Sequence, residues 1–191
     1  MTTKTPTPAV HIYQIKVTLR DSSPPIWRRL LLRSDTTLAQ FHDILQVAMG
    51  WGDSHLHQFI VRGEYYGPRE LSMGWGPPVK DENKVKLSRI VAGEKSKFDY
   101  DYDMGDSWTH TILVEKVLPV EEGKQYPICI KGKCACPPED IGGIWGYYGF
   151  LEAIQDPKHP EHNDMVEWVG DEFDPAAFDI DAVNARLKKI R

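Results

Sequence analysis

In the first third of the chain, the spacing of the hydrophobic residues is that of two strands, then a helix, then a third strand, an order that few folds share. Residues 11–20 and 26–33 alternate apolar and polar side chains, the pattern of half-buried strands, and a short proline-containing turn separates them. An apolar pattern at helical spacing follows from Thr37 to Gly50, and strand-like alternation resumes over residues 55–62. The order strand, strand, helix, strand predicts an α+β fold of the β-grasp type, in which one helix packs across a mixed sheet.

The predicted helix carries signals at both of its ends. Thr37 and Gln40 have the spacing of a capping box, in which the hydroxyl and amide side chains each satisfy a free backbone N–H group. Gly50 stands where a left-handed residue commonly ends a helix. We predict that Thr37 caps this helix and that its apolar stripe is buried against the sheet; the stripe includes Leu38, Phe41 and Leu45.

The rest of the sequence predicts further strands and then helices. In chain order the predicted elements are a long excursion (63–78), a short helix (85–91), strands (97–103, 108–117 and 126–130) and helices (147–154, 165–169 and 183–190). Strands early and helices late indicate an α+β protein with a C-terminal helical cap. We expect a flexible N-terminal tail at residues 1–10 and a single domain at residues 11–191.

Composition narrows the classes of function. The 191 residues carry a net charge of −5 and a sequence pI near 5.8, which argues against a general nucleic-acid binder. The two short basic runs, residues 27–29 and 186–191, are interpreted as solvated faces. No stretch approaches the ~20 apolar residues that a membrane span requires, and the start of the chain lacks an apolar signal core. An odd number of cysteines, three, fits a reducing cytoplasm.

Three patches combine tryptophan or proline, glycine, acidic residues and histidine or cysteine within about ten positions each, a mixture common at turns and functional sites. They are residues 51–57, 102–110 and 134–143. On the predicted strands, His55 and His57 share one face, and Trp108 and His110 share another. If these side chains converge, they form a cleft suited to acid–base or metal chemistry, with residues 136–143 as its rim; the candidate residues are His55, His57, Asp103, Asp106, Trp108 and His110. The alternative is a tight turn at residues 103–106 whose carboxylates bind backbone N–H groups.

The cysteines offer a second, weaker metal hypothesis. Thiolates and imidazoles are preferred zinc ligands, and the set would consist of Cys129, Cys134, Cys136 and His162, with His159 nearby. The Cys-x4-Cys-x-Cys spacing differs from the paired Cys-x2-Cys of zinc knuckles. We therefore interpret the cysteines as small buried hydrophobic residues that hold no structural metal, and we expect no cofactor.

Several motifs resemble one protein family across nearly the whole chain from about His11 onward. They stand at residues 25–29, 41–46, 50–59, 102–110, 135–143 and 173–184. These residues are similar to the plasmid pRiA4b ORF-3-like family of uncharacterised bacterial and archaeal proteins. The resemblance implies a family but no activity. Some members are labelled as resolvases, but this sequence contains no evident serine-recombinase catalytic motif.

Two classes of function remain after these arguments. The first is a non-catalytic interaction module that presents an aromatic, acidic surface to a protein or a small ligand. The alternative is a metal-dependent enzyme, hydrolytic in type, built on the histidine and aspartate cluster around His55 and Asp106. A weaker alternative is a mobile-element accessory protein that contacts nucleic acid through Arg28, Arg29 and the C-terminal basic run. Stoichiometric metal in the purified protein would favour the enzyme over the module.

Overall fold

A computed structural model describes residues 9–73, 77–170 and 173–190. Most of the predicted N-terminal tail and residues 74–76 of the predicted excursion lie outside these ranges. Eight strands form one mostly antiparallel sheet: β1 Ile12–Leu19, β2 Trp27–Arg33, β3 His57–Val61, β4 Glu64–Gly67, β5 Val79–Asp81, β6 Lys97–Tyr102, β7 Trp108–Leu118 and β8 Ile128–Lys133. Their order in the sheet is β5-β4-β3-β6-β7-β1-β2-β8, and β4 and β5 pair in parallel.

The described ranges contain five α-helices beside the sheet. They are α1 Leu38–Met49, α2 Leu87–Ile90, α3 Gly143–Gln155, α4 His162–Val169 and α5 Ile180–Leu187. Two 3₁₀ turns flank β5, Arg69–Met73 before it and Glu82–Lys84 after it. Three of the five helices follow the last strand, as the sequence predicts. Within the described ranges, no helix is long and apolar enough to cross a membrane.

Helix α1 begins and ends as its sequence predicts. The Thr37 hydroxyl accepts from the Gln40 N–H at 3.2 Å, and the Thr37 N–H donates to Gln40 Oε1 at 3.0 Å. Gly50 ends the helix in the left-handed region with φ 108°. The helix reaches from one part of the sheet to another, since the Phe41 ring stacks 5.6 Å from Phe59 of β3 while Ala48 O accepts from Arg28 of β2. Both caps and the burial of the apolar face are confirmed.

The Leu45 side chain tests how α1 packs. It is 1% exposed within the main core. We expect Leu45→Ala to lower the free energy of unfolding by about 2–5 kcal/mol, because it removes buried methyl groups and leaves a cavity. Asp43→Ala, at an exposed position of the same helix, should change it by less than about 1 kcal/mol. Urea denaturation measures both, and a Leu45 variant as stable as the wild type would contradict helix-on-sheet packing.

Strand β4 lies inside the segment predicted as an excursion, so that prediction was wrong. Arg62 and Gly63 have φ values of 52° and 80°, and Val61 pairs with Glu64 across them. Two left-handed residues in a two-residue loop make a tight hairpin turn whose twist matches the strands. The short strand β5 was also missed, and β8 runs three residues further than predicted.

The basic run at residues 27–29 is not a solvated face. Arg28 is 1% exposed and donates to backbone carbonyl groups. Arg29 binds both oxygens of Glu115, at 2.6 and 2.9 Å. Arg28 is therefore buried and Arg29 is half-buried in an ion pair, which corrects the interpretation of this run as a solvated face.

Candidate metal centre

The three patches found in the sequence meet at one end of the sheet. Trp51 Nε1 donates to Pro137 O at 3.1 Å, and the Gly52 N–H donates to a carboxylate oxygen of Glu139 at 3.1 Å. Glu139 also accepts a short hydrogen bond from the Tyr102 hydroxyl. These bonds join the loop before β3, the end of β6 and the segment before α3 into one junction.

His55 lies at this junction between two carboxylates. Its Nε2 atom is 3.2 Å from Asp140 Oδ1 and 3.6 Å from Asp103 Oδ2. The nitrogen is enclosed but makes no hydrogen bond within the part of the chain that the structure describes. Charge-assisted N–H···O bonds are shorter, about 2.7–2.9 Å, and well aligned. The three groups are therefore close together without being joined by hydrogen bonds.

Both aspartates of this group have an uncommon backbone conformation. Asp103 and Asp140 have φ values of 58° and 60°, in the left-handed region that residues other than glycine rarely adopt. Asp103 Oδ1 accepts from the N–H groups of Gly105 and Asp106, at 2.8 and 3.3 Å. Asp103 Oδ1 therefore binds backbone N–H groups, as the tight-turn alternative predicts. The other oxygen faces His55, as the cleft interpretation requires.

The geometry of this group fits one metal ion. Imidazole and carboxylate ligands bind first-row ions at about 2.0–2.2 Å, which places two ligand atoms of one ion roughly 3.0–3.5 Å apart. The distance from His55 Nε2 to Asp140 Oδ1, 3.2 Å, is within this range, and the distance to Asp103 Oδ2, 3.6 Å, is just above it. The ligand atoms of all three residues lie within 4.8 Å of one another. The Asp140 side chain is 72% exposed, so water can reach the remaining coordination positions.

A second histidine cluster lies deeper, beneath the same loop. His42 Nε2 is 2.8 Å from Asp53 Oδ1, and His57 Nε2 is 2.8 Å from Glu82 Oε2. The two imidazole rings stack with centroids 3.4 Å apart and planes 5° apart. The Tyr100 hydroxyl contacts His42 Nδ1 at 2.8 Å. Burial, followed by the neighbouring His57, lowers the pKa of His42 to about 4.

The two clusters differ in what they can bind. Both nitrogens of His42 and one of His57 are already hydrogen-bonded. Ligand atoms of His42, Asp53 and His57 also lie within 4.8 Å of one another, but the two rings are stacked, with centroids 3.4 Å apart and planes 5° apart. A metal ion lies close to the plane of each imidazole that binds it, so one ion cannot be in the plane of both rings. The stacked pair instead anchors the loop at Asp53 to helix α1. The His55 cluster has a free nitrogen and remains the candidate metal centre.

The structure separates the six residues predicted for the cleft. His55 and Asp103 face each other, and Asp106 borders them by accepting from the Gly142 N–H at 3.1 Å. His57 belongs to the stacked pair. Trp108 and His110 lie in the core, where the His110 ring packs 5.2 Å from Trp51. Strand β6 stands between β3 and β7, so the two predicted histidine strands are not neighbours.

Burial governs the chemistry of His110. Its Nδ1–H donates to Tyr100 O at 3.3 Å, and its Nε2 has no partner among the described residues. Burial lowers the pKa of His110 to about 4. The side chain is therefore a neutral imidazole at physiological pH.

Sequence reasoning did not assign ligand roles to several residues that the structure brings to the two clusters. The sequence analysis included Asp140 only as part of the predicted rim of the cleft, and its position in the third patch was the feature that could have identified it as a ligand. His42 was interpreted as a hydrogen-bonded core residue, which matches its contacts with Tyr100 and Asp53. Asp53 stood in the first patch but was given no role, and Glu82 lay in no patch.

The cysteines stand apart from both clusters. Cys129, Cys134 and Cys136 are free thiols, and the first two are buried. His162 Nδ1 donates to Ala153 O at 2.8 Å, in the α3–α4 region. Within the described ranges, no cysteine belongs to a group of three potential ligands within reach of one ion.

A cavity of about 860 Å³ lies away from both clusters, between the turn before β8 and helix α5. Its charged lining residues include Arg33, Lys124 and Asp181, but it contains no histidine or cysteine. Arg33 is paired with Asp35, and Lys124 with Glu121. The metal-binding groups therefore lie at the three-patch junction and not in this larger space.

The fold and the junction define an α+β protein with a histidine–carboxylate group at one end of an eight-stranded sheet. The family model for plasmid pRiA4b ORF-3-like proteins matches residues 11–182. The chain belongs to this family, which confirms the resemblance seen in the sequence.

Two relatives are similar over most of their length. The uncharacterised protein y4hQ of Sinorhizobium fredii (strain NBRC 101917 / NGR234) is 39% identical over 182 residues, which cover 94% of this chain and 92% of the relative. The crystal structure of MM3350, a protein of unknown function from Methanosarcina mazei Go1, has a TM-score of 0.82 at 37% identity. The match covers 91% of this chain and 97% of that one. Neither name specifies an activity.

Proposed function

We propose that the protein is a binding module whose ligand is a divalent transition-metal ion held by His55, Asp103 and Asp140. The observation that carries the proposal is the enclosed His55 Nε2 atom, which has no hydrogen bond in the described ranges and lies 3.2 and 3.6 Å from two carboxylate oxygens. A buried nitrogen without a partner is costly. A metal ion would satisfy it and would also neutralise the two carboxylates beside it.

The donor set narrows the choice of ion. Imidazole suits zinc, iron, copper and nickel, whereas carboxylate and water suit magnesium, calcium and manganese. One imidazole with two carboxylates therefore favours an ion that accepts both ligand types, such as Mn²⁺, Fe²⁺ or Zn²⁺. The sequence analysis expected no bound metal, and it based that expectation on the spacing of the cysteines. The proposed site uses a different set of ligands and revises the expectation.

Metal titration of the chelator-treated protein tests the proposal. We expect Zn²⁺ or Mn²⁺ to bind with a stoichiometry of one in isothermal calorimetry. Asp140→Asn should weaken the binding at least tenfold, because it removes one charged ligand from a largely exposed position without disturbing the core. Glu152→Gln removes a carboxylate from an exposed position of α3 and should change the affinity less than twofold. Equal affinity of Asp140→Asn and wild type would refute the site.

A metal-dependent hydrolase is the second candidate function. It is favoured by the Tyr102–Glu139 pair, whose tyrosine ring lies 5.9 Å from the His55 ring. A hydroxyl and a carboxylate beside a metal-bound water can move protons during hydrolysis. The test is metal-dependent hydrolysis of p-nitrophenyl phosphate and p-nitrophenyl acetate. Turnover that Asp140→Asn abolishes would favour the hydrolase over the binding module.

Three broader proposals accompany this function. The β-grasp likeness rests on the order β1, β2, α1, β3 and on the helix across the sheet, with the β6–β7 pair inserted between β1 and β3. The single domain from residue 11 to 191 is supported by one continuous sheet. Three free thiols support a location in the cytoplasm.

A further inference from the structure

We propose a second ligand site, for the carboxylate group of a small organic acid, in a cavity of about 240 Å³ beside Arg28. The cavity lies between the C-terminal end of α1, residues 135–136 and the segment from Ala177 to Arg186. It does not include the proposed metal ligands, and the two sites are independent.

Arg28 is a buried cation without a buried anion. Its Nε donates to Ala48 O at 2.8 Å, and its Nη1 donates to Trp27 O and Lys133 O at 2.9 and 3.0 Å. No carboxylate of the described residues forms an ion pair with it, and Nη2 has no acceptor among them. A guanidinium does not lose its proton in proteins, so its charge persists despite its burial. Backbone carbonyl groups accept from Nε and Nη1 only, so Nη2 is free to bind a ligand.

The neighbouring thiol does not supply the missing charge. Cys136 lies beside Arg28 and lines the same cavity. Burial raises the pKa of the Cys136 thiol well above its usual range, so the sulfur stays protonated and neutral. The Asp179 carboxylate also lines the cavity, but it caps α5 by accepting from the N–H groups of Asp181 and Ala182 at 3.0 and 2.9 Å. It forms no ion pair with Arg28 in the described ranges, so neither neighbour supplies a counter-ion.

The guanidinium is fixed in place. The Phe178 ring covers it, with the guanidinium carbon 4.0 Å from the ring centroid. Phe178 approaches this closely because residue 132 is glycine: a Cβ there would lie 2.4 Å from the ring. A stacked, hydrogen-bonded arginine is already ordered for its ligand and loses little conformational entropy on binding.

A second cation and an apolar wall define the ligand. Arg186 is exposed, lines the same cavity and has no ion pair in the described part of the chain. The wall includes Val47, Met49 and Val183. Two guanidinium groups recognise an oxyanion, and apolar side chains favour a ligand with a hydrocarbon portion. A small organic carboxylate has both parts, whereas inorganic phosphate has only the charge.

Titration with sodium butyrate of protein freed of metal on a chelating resin tests this site independently of the metal. We expect saturable shifts of the Phe178 ring signals in NMR spectra and contacts between these ring protons and the butyrate methyl group. Arg186→Gln should weaken binding about tenfold, through loss of one charge-assisted contact worth ~1.4 kcal/mol. Lys188→Gln removes the same charge from the same end of α5 but does not line this cavity, so it should change the affinity less than twofold.

Two further arms make the result decisive. Arg28→Lys keeps the buried charge but loses Nη2, and a folded variant should bind butyrate more weakly than wild type; if it does not fold, the Arg186 pair of variants decides. Inorganic phosphate at equal concentration should compete poorly. Absence of saturation by butyrate, equal binding by Arg186→Gln and wild type, or preference for phosphate would each overturn the proposal.

Discussion

Gly146→Ala should destabilise the protein by about 3 kcal/mol, although alanine is normally the better helix residue. Gly146 lies in the first turns of α3, and a Cβ there would lie 1.8 Å from Ile141 O and 2.8 Å from the Ile141 carbonyl carbon. Both atoms belong to the backbone and cannot rotate away. The helix or the segment carrying Ile141 must therefore move.

The same helix provides the control for this variant. Gly149 is also in α3, and a Cβ there would have no atom within 4 Å. Gly149→Ala should therefore raise the free energy of unfolding by up to about 1 kcal/mol, since it removes the entropic disadvantage of glycine in a helix. Opposite signs for the two variants in urea denaturation are the expected result. A Gly146 variant at least as stable as the wild type would contradict the close packing of α3 against residue 141.

The position of Gly146 also links stability to the metal centre. Ile141 directly follows Asp140, the exposed ligand of the proposed ion. A shift of Ile141 large enough to admit a methyl group would move the Asp140 carboxylate away from His55. Gly146→Ala should therefore weaken metal binding as well, whereas Gly149→Ala should leave it unchanged.

Mild acid should destabilise the protein strongly through two buried histidines. Burial holds the pKa of both His42 and His110 at about 4 in the folded state, below the value of 6.5 for an unperturbed imidazole. The unfolded chain therefore takes up protons first as the pH falls. The stability that these groups contribute is fully present above about pH 6.5 and is lost as the pH falls from 6.5 towards 4. By linkage, the loss is on the order of 3 kcal/mol for each histidine.

The surroundings of each ring fix the direction of this effect. His42 faces His57, which opposes a second positive charge, and the carboxylates of Asp53 and Glu82, which partly offset the burial. Burial is the main cause of the lowered pKa of His110; hydrogen bonds to backbone groups oppose it, and the positive charges of Arg28 and Arg20 add to it.

Chemical denaturation at a series of pH values between 7.5 and 4.5 measures the acid effect. Between pH 6 and 4.5 the free energy of unfolding should fall with a slope against pH that corresponds to the uptake of nearly two protons on unfolding. His110→Gln keeps a neutral, polar side chain and should reduce that slope by about one proton. A His110→Gln protein with the wild-type slope would show that His110 does not carry the effect.

Local signals explain why helix α1 could be predicted from the sequence. Its capping box, its terminal glycine and its apolar stripe are all contained within residues 37–50, and each has one structural meaning. Strand β4 was missed because Arg62 was not recognised as a left-handed residue. The sheet order could not be predicted at all, since β3 pairs with β6 about 40 positions away and no local pattern specifies that choice.

The same distinction applies to the candidate site. The residue types within the three patches indicated a functional region, and the patches do meet. Which side chains face each other depended on the position of β6 between β3 and β7. That placement buried His110 in the core and left His55 at the junction. Asp140 entered the site through a left-handed turn, a conformation in which aspartate is enriched, but the sequence did not indicate which of its acidic residues would adopt it.

Anomalous X-ray diffraction from crystals grown with Zn²⁺, recorded at the zinc absorption edge, tests the proposed metal centre most directly. We expect one strong peak about 2.0–2.2 Å from His55 Nε2 and from a carboxylate oxygen of each of Asp103 and Asp140. The peak should be weaker in crystals of Asp140→Asn grown with the same limiting amount of Zn²⁺. A peak between His42 and His57, or no peak at the junction of the three patches, would contradict the account.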